Sequence, residues 1–468
     1  MLLALALRVH NFSSTSIWYD ESVTLKLAHQ SWLDIYRSST QDVNAPLYPF
    51  FIKLWTLLFG YSLSTVRFFS VVCSVLTVAV IFKIADKNFG RKAAIFCSLF
   101  ISISNIHIYY SEEGRCYATL CLFASVNLYY FFELLKLPST RNIILYTGFG
   151  LFAIYTQFFF GLQMFVGFVI LIYKNLNDLR VIKKLIAFHL LAALFFGVWF
   201  IHTFFLKKAV DISNSWIPPL SYENMLWYFR DLFNSENLAF LFVGLFFAFF
   251  IFLFFIKQIH IPIKQHLIYL FLLCFIPFLT MSLVSLFSTS VFYPRFLMFT
   301  SIPMILFLGS IVTVFKMDRI ISGVYIICIV MSIPYINVFA FRNQDWNIAC
   351  RYEWAFRNDS TSTIVSPTYS DMCYIYYNMD WAYFEQYNNL WYFKEERKFM
   401  GCDDSLLYMK SKFSKSKRVV FFDASPDYDD RIISFLRNNY DSVFAKKLYG
   451  INFYVYDKKV KPVKDSLN

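Results

Sequence analysis

Charge is what this sequence has least of. Only 16% of its 468 residues are Asp, Glu, Lys or Arg, where a soluble domain of that length carries closer to a quarter. The scarcity excludes an ordinary soluble globular chain. The nine cysteines form no CxxC pair and no zinc spacing, and the seven histidines show no ligand spacing. No internal repeat or low-complexity segment is evident. The first residues show no basic leader and no small-residue cleavage site, which argues against a secretory signal peptide.

What fills the chain instead is apolar: 58% hydrophobic residues, 21% aromatic, and a mean hydropathy of +0.50. These residues come in blocks such as Leu238–Ile256 and Leu267–Phe287. Each block is near the roughly 20 residues needed to cross a bilayer. Spans are drawn at about 64–83, 93–109, 116–135, 143–157, 158–174, 185–206, 238–256, 267–287, 296–315 and 319–339. Met1–Leu7 is apolar but covers only about a third of the hydrocarbon, and reads as the stub of an incomplete first span. The expected fold is therefore a polytopic α-helical membrane protein of about ten to eleven spans.

The net charge of +12 does not indicate a nucleic-acid partner. Lys83, Lys87, Arg91 and Lys92, then Lys174, Arg180, Lys183 and Lys184, then Lys257 and Lys264, then Lys316 and Arg319, sit in short segments between apolar blocks. That is the pattern of cytoplasmic loops. With the 83–92 loop cytoplasmic, alternation places residues 110–115, 207–237 and 288–295 on the other side. Everything before 64 and after 340 joins them there. An external loop runs over 11–63, where 22–37 and 46–59 suit short helices lying in the interface.

Composition changes near residue 341. Asp345–Phe356 and Tyr428–Asn438 read as helices, and Thr363–Ser366, Arg418–Asp423 and Ile451–Tyr456 as strands. Two domains are expected: residues 1–340 in the membrane, and 341–468 as a small extracytoplasmic α/β domain. Cys73, Cys97, Cys121, Cys274 and Cys328 fall inside spans as apolar fillers. Cys350, Cys373 and Cys402 lie in the tail, where three thiols allow at most one disulfide. A lid is the simplest role for that domain.

Four places carry chemistry. Asp20 and Glu21, in Trp18-Tyr19-Asp20-Glu21, are adjacent carboxylates at an interface, either catalytic or capping a helix that starts there. Glu112-Glu113-Gly114-Arg115 is either a functional loop or an interfacial ion pair. Arg295, in Tyr293-Pro294-Arg295-Phe296, is either a phosphate ligand or a snorkelling anchor. Arg67, four residues into a span, needs a partner or the interface. Topology assigns all four to one side. Carboxylates and arginines gathered there suit a reaction in which a hydroxyl loses its proton and a phosphate leaves.

These motifs, in this order over some 330 residues, resemble the bacterial family 39 glycosyltransferases. That group belongs to the GT-C class with the protein O-mannosyltransferases and the lipid A aminoarabinose transferase. Trp18-Tyr19-Asp20-Glu21 resembles the family's first-loop acidic motif. Asn44-Ala45-Pro46-Leu47-Tyr48 resembles its Pro-Pro-Leu-Tyr element, with Ala45 in place of a proline. Arg67-Phe68-Phe69-Ser70 matches its Arg-x-x-Ser. Tyr110-Ser111-Glu112-Glu113-Gly114-Arg115-Cys116-Tyr117 resembles its Tyr-Ser-Gln-Glu-Ala-Arg-x-Tyr loop, with Glu112 in place of glutamine. Pro294-Arg295-Phe296 resembles a Pro-Arg-Tyr element, and Gln344-Asp345-Trp346 the start of the tail domain.

The resemblance implies an inverting transferase that moves a sugar from a polyprenyl-phosphate or diphosphate donor to an acceptor hydroxyl. The acceptor would be a glycan, a lipid or a protein. Asp20 would be the base, with Glu21 beside it. Asn44, Tyr48, Arg67, Glu113, Arg115, Tyr117, Tyr293 and Arg295 would bind substrate, with Arg115 and Arg295 facing the donor phosphate. Asp20, Glu21 and Glu113 could also supply hard oxygen ligands to a divalent metal ion. Two other readings stay open: a flippase for lipid-linked sugars, and an inactive membrane subunit of the same fold.

Overall fold

A computed structural model describes residues 1–40, 45–206, 217–255, 261–314, 318–338, 343–366, 370–378, 399–401, 416–424 and 430–459. The chain forms two compact units. The first comprises Met1–Ser13 and Ser31–Phe341, the second Ser14–Gln30 and Arg342–Asn468.

In chain order the helices of the first unit are α1 (Leu2–Val9), α3 (Trp32–Ser39), α4 (Leu47–Phe59), α5 (Leu63–Phe89), α6 (Arg91–Ile103), α7 (Asn105–Glu112), α8 (Tyr117–Lys136), α9 (Thr140–Thr156) and α10 (Phe160–Lys174). They continue with α11 (Leu179–Ile201), α12 (Tyr222–Phe233), α13 (Glu236–Phe255), α14 (Ile261–Phe287), α15 (Met298–Ser310) and α16 (Asp318–Ser332). Helix α2 (Tyr19–His29) belongs to the second unit.

Local chemistry sets the helix ends. The Ser62 hydroxyl accepts from the Thr65 N–H at 3.0 Å, Ser139 from Asn142 at 3.2 Å, and Asp178 from Arg180 and Val181. Each satisfies a donor that a helix start leaves open. Gly90, at φ +95°, ends α5 and opens α6 in one turn. A side chain there would be strained.

Among the described residues six helices are long and apolar enough to cross a membrane: α5, α8, α11 with its continuation to Phe204, α13, α14, and the stretch Pro294–Thr313 around α15. Helices α6 and α7 make a seventh candidate if counted together, bent by 56°. The expected span 93–109 thus falls on a broken helix. Those at 143–157, 158–174 and 319–339 fall on α9, α10 and α16, of 17, 15 and 15 residues. Inside the expected loop 207–237 lies α12.

Helix α15 is the centre of the bundle, since every one of its residues is buried, whereas α11 buries only Val181, Leu185, Ala192 and Trp199. A Cβ on Gly309 would collide with the Cys97 sulfur, so glycine is what lets α15 and α6 approach. Close packing must hold a bundle whose surroundings are as apolar as its core. Phenylalanine supplies it: Phe271 stacks on Phe250 and Phe246 with ring centres 3.6 and 4.8 Å apart.

The second unit is built on a five-stranded sheet in the order β2-β1-β3-β5-β4, with β1 (Thr361–Ser366), β2 (Phe399–Gly401), β3 (Arg418–Asp423), β4 (Tyr440–Leu448) and β5 (Ile451–Lys458). Strands β2, β1 and β3 run parallel, while β5 and β4 form an antiparallel hairpin turning at Gly450, φ +68°. Among the described residues of the tail, α17 (Trp346–Phe356), α18 (Asp371–Asn378) and α19 (Asp430–Asn439) accompany the sheet.

Val419, Val420, Phe421 and Phe422 of β3 are buried, and Trp346 stacks on Phe422 at 5.8 Å. Arg418 donates two hydrogen bonds to the facing Asp457, at 2.6 and 2.8 Å. Residues Ser14–Gln30 join this unit through Ser16, whose hydroxyl donates to Asn347 Oδ1 at 2.6 Å and whose carbonyl accepts from Asn343 at 3.0 Å. The Trp18-Tyr19-Asp20-Glu21 motif therefore belongs to the same unit as the tail, although some 330 residues separate them in sequence.

Candidate active site

In the membrane unit the motif residues meet where α7 gives way to α8. Helix α7 ends at Glu112, and a tight turn follows in which the Arg115 N–H donates to the Glu113 carbonyl at 2.8 Å. Tyr117 then opens α8. The turn folds Tyr110 and Tyr117 into an edge-to-face pair, ring centres 5.0 Å apart. Glu112 and Glu113 are both fully buried.

Arg295 arrives from a short 3-10 turn, Pro294–Leu297, ahead of α15. Its guanidinium lies 5.0 Å from the Tyr293 ring centre, 5.5 Å from that of Tyr117 and 5.7 Å from that of Phe296. Contacts of this kind fix a cation on ring faces. Tyr293 is itself braced edge-on by Trp227 at 5.8 Å. Glu113 and Arg295 are both within electrostatic reach of Tyr110, Cys116 and Tyr117. Glu113, Arg115, Tyr117, Tyr293 and Arg295 therefore form one cluster.

Two further motif residues flank it. Tyr48 is buried on α4, within reach of the Arg115 charge, and its ring is 6.3 Å from Phe69. Arg67 is fully buried and donates to the Phe12 carbonyl at 3.0 Å, with Glu112 as its acidic neighbour. Asn44 lies outside the described residues.

Asp20 and Glu21 sit in the second unit. Helix α2 starts at Tyr19 with Trp18 as its cap, so the two acids occupy the first turn, where the helix dipole favours negative charge. Neither is the cap residue. Glu21 is fully buried and Asp20 half-buried. Their charges and that of Asp371 on α18 bear on Cys373. Burial first, and then these three carboxylates, push the Cys373 thiol well above its usual range, despite a hydrogen bond with Ser22. Asp371 was not singled out by the sequence, and Cys373 entered only as a possible disulfide partner, because nothing in their own neighbourhood marks them for this role.

The expected metal ligands divide between the units, with Asp20 and Glu21 in one and Glu113 in the other. Among the described residues no group of three or more His, Cys, Asp or Glu side chains is arranged to hold a metal ion. Cys350 and Cys373 are free thiols, and Cys402 lies outside the described residues.

A family model described as dolichyl-phosphate-mannose-protein mannosyltransferase matches residues 43–203. That stretch holds Tyr48, Arg67, Glu113, Arg115 and Tyr117. No curated protein matches the chain. Among solved structures, ArnT from Cupriavidus metallidurans in the apo state is similar with a TM-score of 0.58 at 12% identity, covering 97% of this chain and 96% of that one. The same protein bound to undecaprenyl phosphate gives 0.56 at 13% identity, with the same coverage. The oligosaccharyltransferase AglB from Archaeoglobus fulgidus, in complex with an inhibitory peptide and a dolichol-phosphate, gives 0.52 at 10% identity, covering 99% of this chain and 74% of that one. At such identities the likeness is one of fold. Helices and comparisons agree on the architecture: this chain has an ArnT-like helical fold suited to a multi-pass membrane protein, and its residues 43–203 are similar to the dolichyl-phosphate-mannose-protein mannosyltransferase family.

Proposed function

We propose that the protein is an inverting glycosyltransferase acting on the non-cytoplasmic membrane face, with a polyprenyl-phosphate sugar as donor. The acceptor hydroxyl gives its proton to Asp20, and its oxygen attacks the anomeric carbon from the side opposite the phosphate. The carbon–oxygen bond to phosphate breaks, and the electron pair leaves with the polyprenyl phosphate. Arg295 and Arg115 stabilise that departing charge. Glu113 accepts hydrogen bonds from sugar hydroxyls, and Tyr117 and Tyr293 hold Arg295 in place.

The observation that carries the reading is the Arg295 guanidinium seated on Tyr117 and Tyr293, within one cluster with Glu113 and Arg115. The relatives solved with undecaprenyl phosphate and dolichol-phosphate lend weight to a lipid-phosphate ligand.

The test supplies purified protein in lipid vesicles with a panel of undecaprenyl-phosphate-linked sugars and follows release of undecaprenyl phosphate. Release that disappears in Asp20→Asn supports the transferase. Lipid movement across the bilayer without cleavage makes the protein a flippase, and neither activity leaves an inactive subunit.

A further inference from the structure

The bend between α6 and α7 lies directly upstream of the Glu113–Arg115 turn, and it is a costly feature. Ser104 is extended (φ −66°, ψ 123°), which breaks the helical ladder. In an unbroken helix the carbonyls of Ile101, Ser102 and Ile103 would accept from the N–H groups of Asn105, Ile106 and His107. Inside a bilayer, backbone groups released by a break need other partners.

Two distant side chains supply them. Arg8 of α1 is fully buried and donates to the Ile101 carbonyl at 3.0 Å and the Ser102 carbonyl at 3.0 Å, while its Nε donates to Ser74 on α5 at 2.7 Å. Asn234 follows α12 in the left-handed region, φ +68°, and is buried as well. Its amide nitrogen donates to the Ile103 carbonyl at 2.8 Å, and its oxygen accepts from the Asn105 N–H at 2.8 Å. The three carbonyls and the first N–H beyond the break are all answered.

We infer that Arg8 and Asn234 are positioning residues: by satisfying the backbone on both sides of Ser104 they set the direction in which α7 delivers Glu113 and Arg115. Helix α7 is only eight residues long, so a change of angle at its start moves the turn at its end. The inference rests on the proposed transferase reading for its catalytic consequence, but its structural consequence stands apart from it.

The experiment uses the full chain in lipid nanodiscs and compares Asn234→Gly, Arg8→Lys and, as a control, Ser139→Ala, which removes the cap of α9. Glycine keeps the left-handed backbone at 234 and loses only the amide. Two quantities are read: amide hydrogen exchange over Asn105–Glu112, and kcat and KM for undecaprenyl phosphate release. Asn234→Gly is expected to accelerate exchange in that segment selectively and to lower kcat on the order of 10–100-fold with KM little changed. Arg8→Lys should fall between it and wild type, and Ser139→Ala should leave both quantities at wild-type values even where its melting temperature drops. Wild-type exchange over Asn105–Glu112 in folded Asn234→Gly and Arg8→Lys overturns the inference, as does the same kcat loss in Ser139→Ala. Wild type that cleaves no donor overturns the transferase reading alone, and the exchange data then decide the role of the two residues.

Discussion

The guanidinium of Arg295 lies 5.5 Å from the centre of the Tyr117 ring, so a residue of the turn before α15 is held against the first residue of α8. The two are 178 positions apart and come from different motifs. A planar cation restrained on ring faces is placed before substrate arrives, which lowers the cost of arranging it at the moment of reaction.

That placement predicts how substitutions at 295 behave. Arg295→Ala should lower kcat by roughly 10²–10³-fold, the scale of losing one preorganised charge at a leaving group. Arg295→Lys keeps the charge but neither the planar stack nor the forked donors, so it should recover only part of that loss. Undecaprenyl phosphate release from the active donor measures both, with melting temperatures to confirm folding.

Asp20 is half-buried in the first turn of α2, and it is not the helix cap. Asp20→Asn keeps the shape and removes the proposed base, so turnover should fall by about 10²–10⁴-fold. Because the cap position is Trp18, the substitution should shift the melting temperature little. A large loss of stability with proportionate loss of activity would instead assign Asp20 a structural role.

Gly309 predicts a packing defect. A Cβ there would collide with the Cys97 sulfur, whose thiol also donates to the Ile305 carbonyl at 3.5 Å. Gly309→Val should therefore destabilise the bundle by about 1–3 kcal/mol, the usual cost of overpacking. A thermal melt in detergent checks it, and Cys97→Ala should partly rescue Gly309→Val by clearing the space.

Glu353, in the second unit, gives a pH dependence. Burial raises its carboxyl above the usual range, against hydrogen bonds from Thr363 at 2.5 Å and Tyr374 at 2.8 Å and the Arg357 guanidinium at 3.8 Å. A carboxyl whose pKa is raised on folding contributes stability that is fully present below its unfolded value. That contribution is lost as pH rises through the folded value. Amide exchange in β1 and α17 of the full chain should thus speed up relative to Glu353→Gln as pH climbs from about 4.5. Parallel pH profiles for the two proteins would show that this carboxyl does not titrate between the states.

The membrane-spanning character was written in composition, since 18 or more apolar residues in a row have few other soluble solutions. Leu238–Ile256 and Leu267–Phe287 reappear as α13 and α14, and Arg418–Asp423 reappears unchanged as β3. Alternate burial was too weak to mark β4, an edge strand with mostly exposed residues. The motif residues around Glu113, Arg115 and Arg295 were legible because charge is rare and conspicuous in an apolar chain.

Contacts between remote residues were not legible. Residues 93–109 read as one span, because their hydropathy is continuous. Only the folded chain brings Arg8 and Asn234, 94 and 131 positions from the carbonyls they reach, to the break at Ser104. Likewise Ser14–Gln30 reads as part of a loop beside the membrane helices, while its hydrogen bonds run to Asn343, Asn347 and Tyr377. Hydropathy and local propensity act over a few residues and so can be read in line. Partners for freed backbone groups are chosen by proximity in space, which the linear order does not carry.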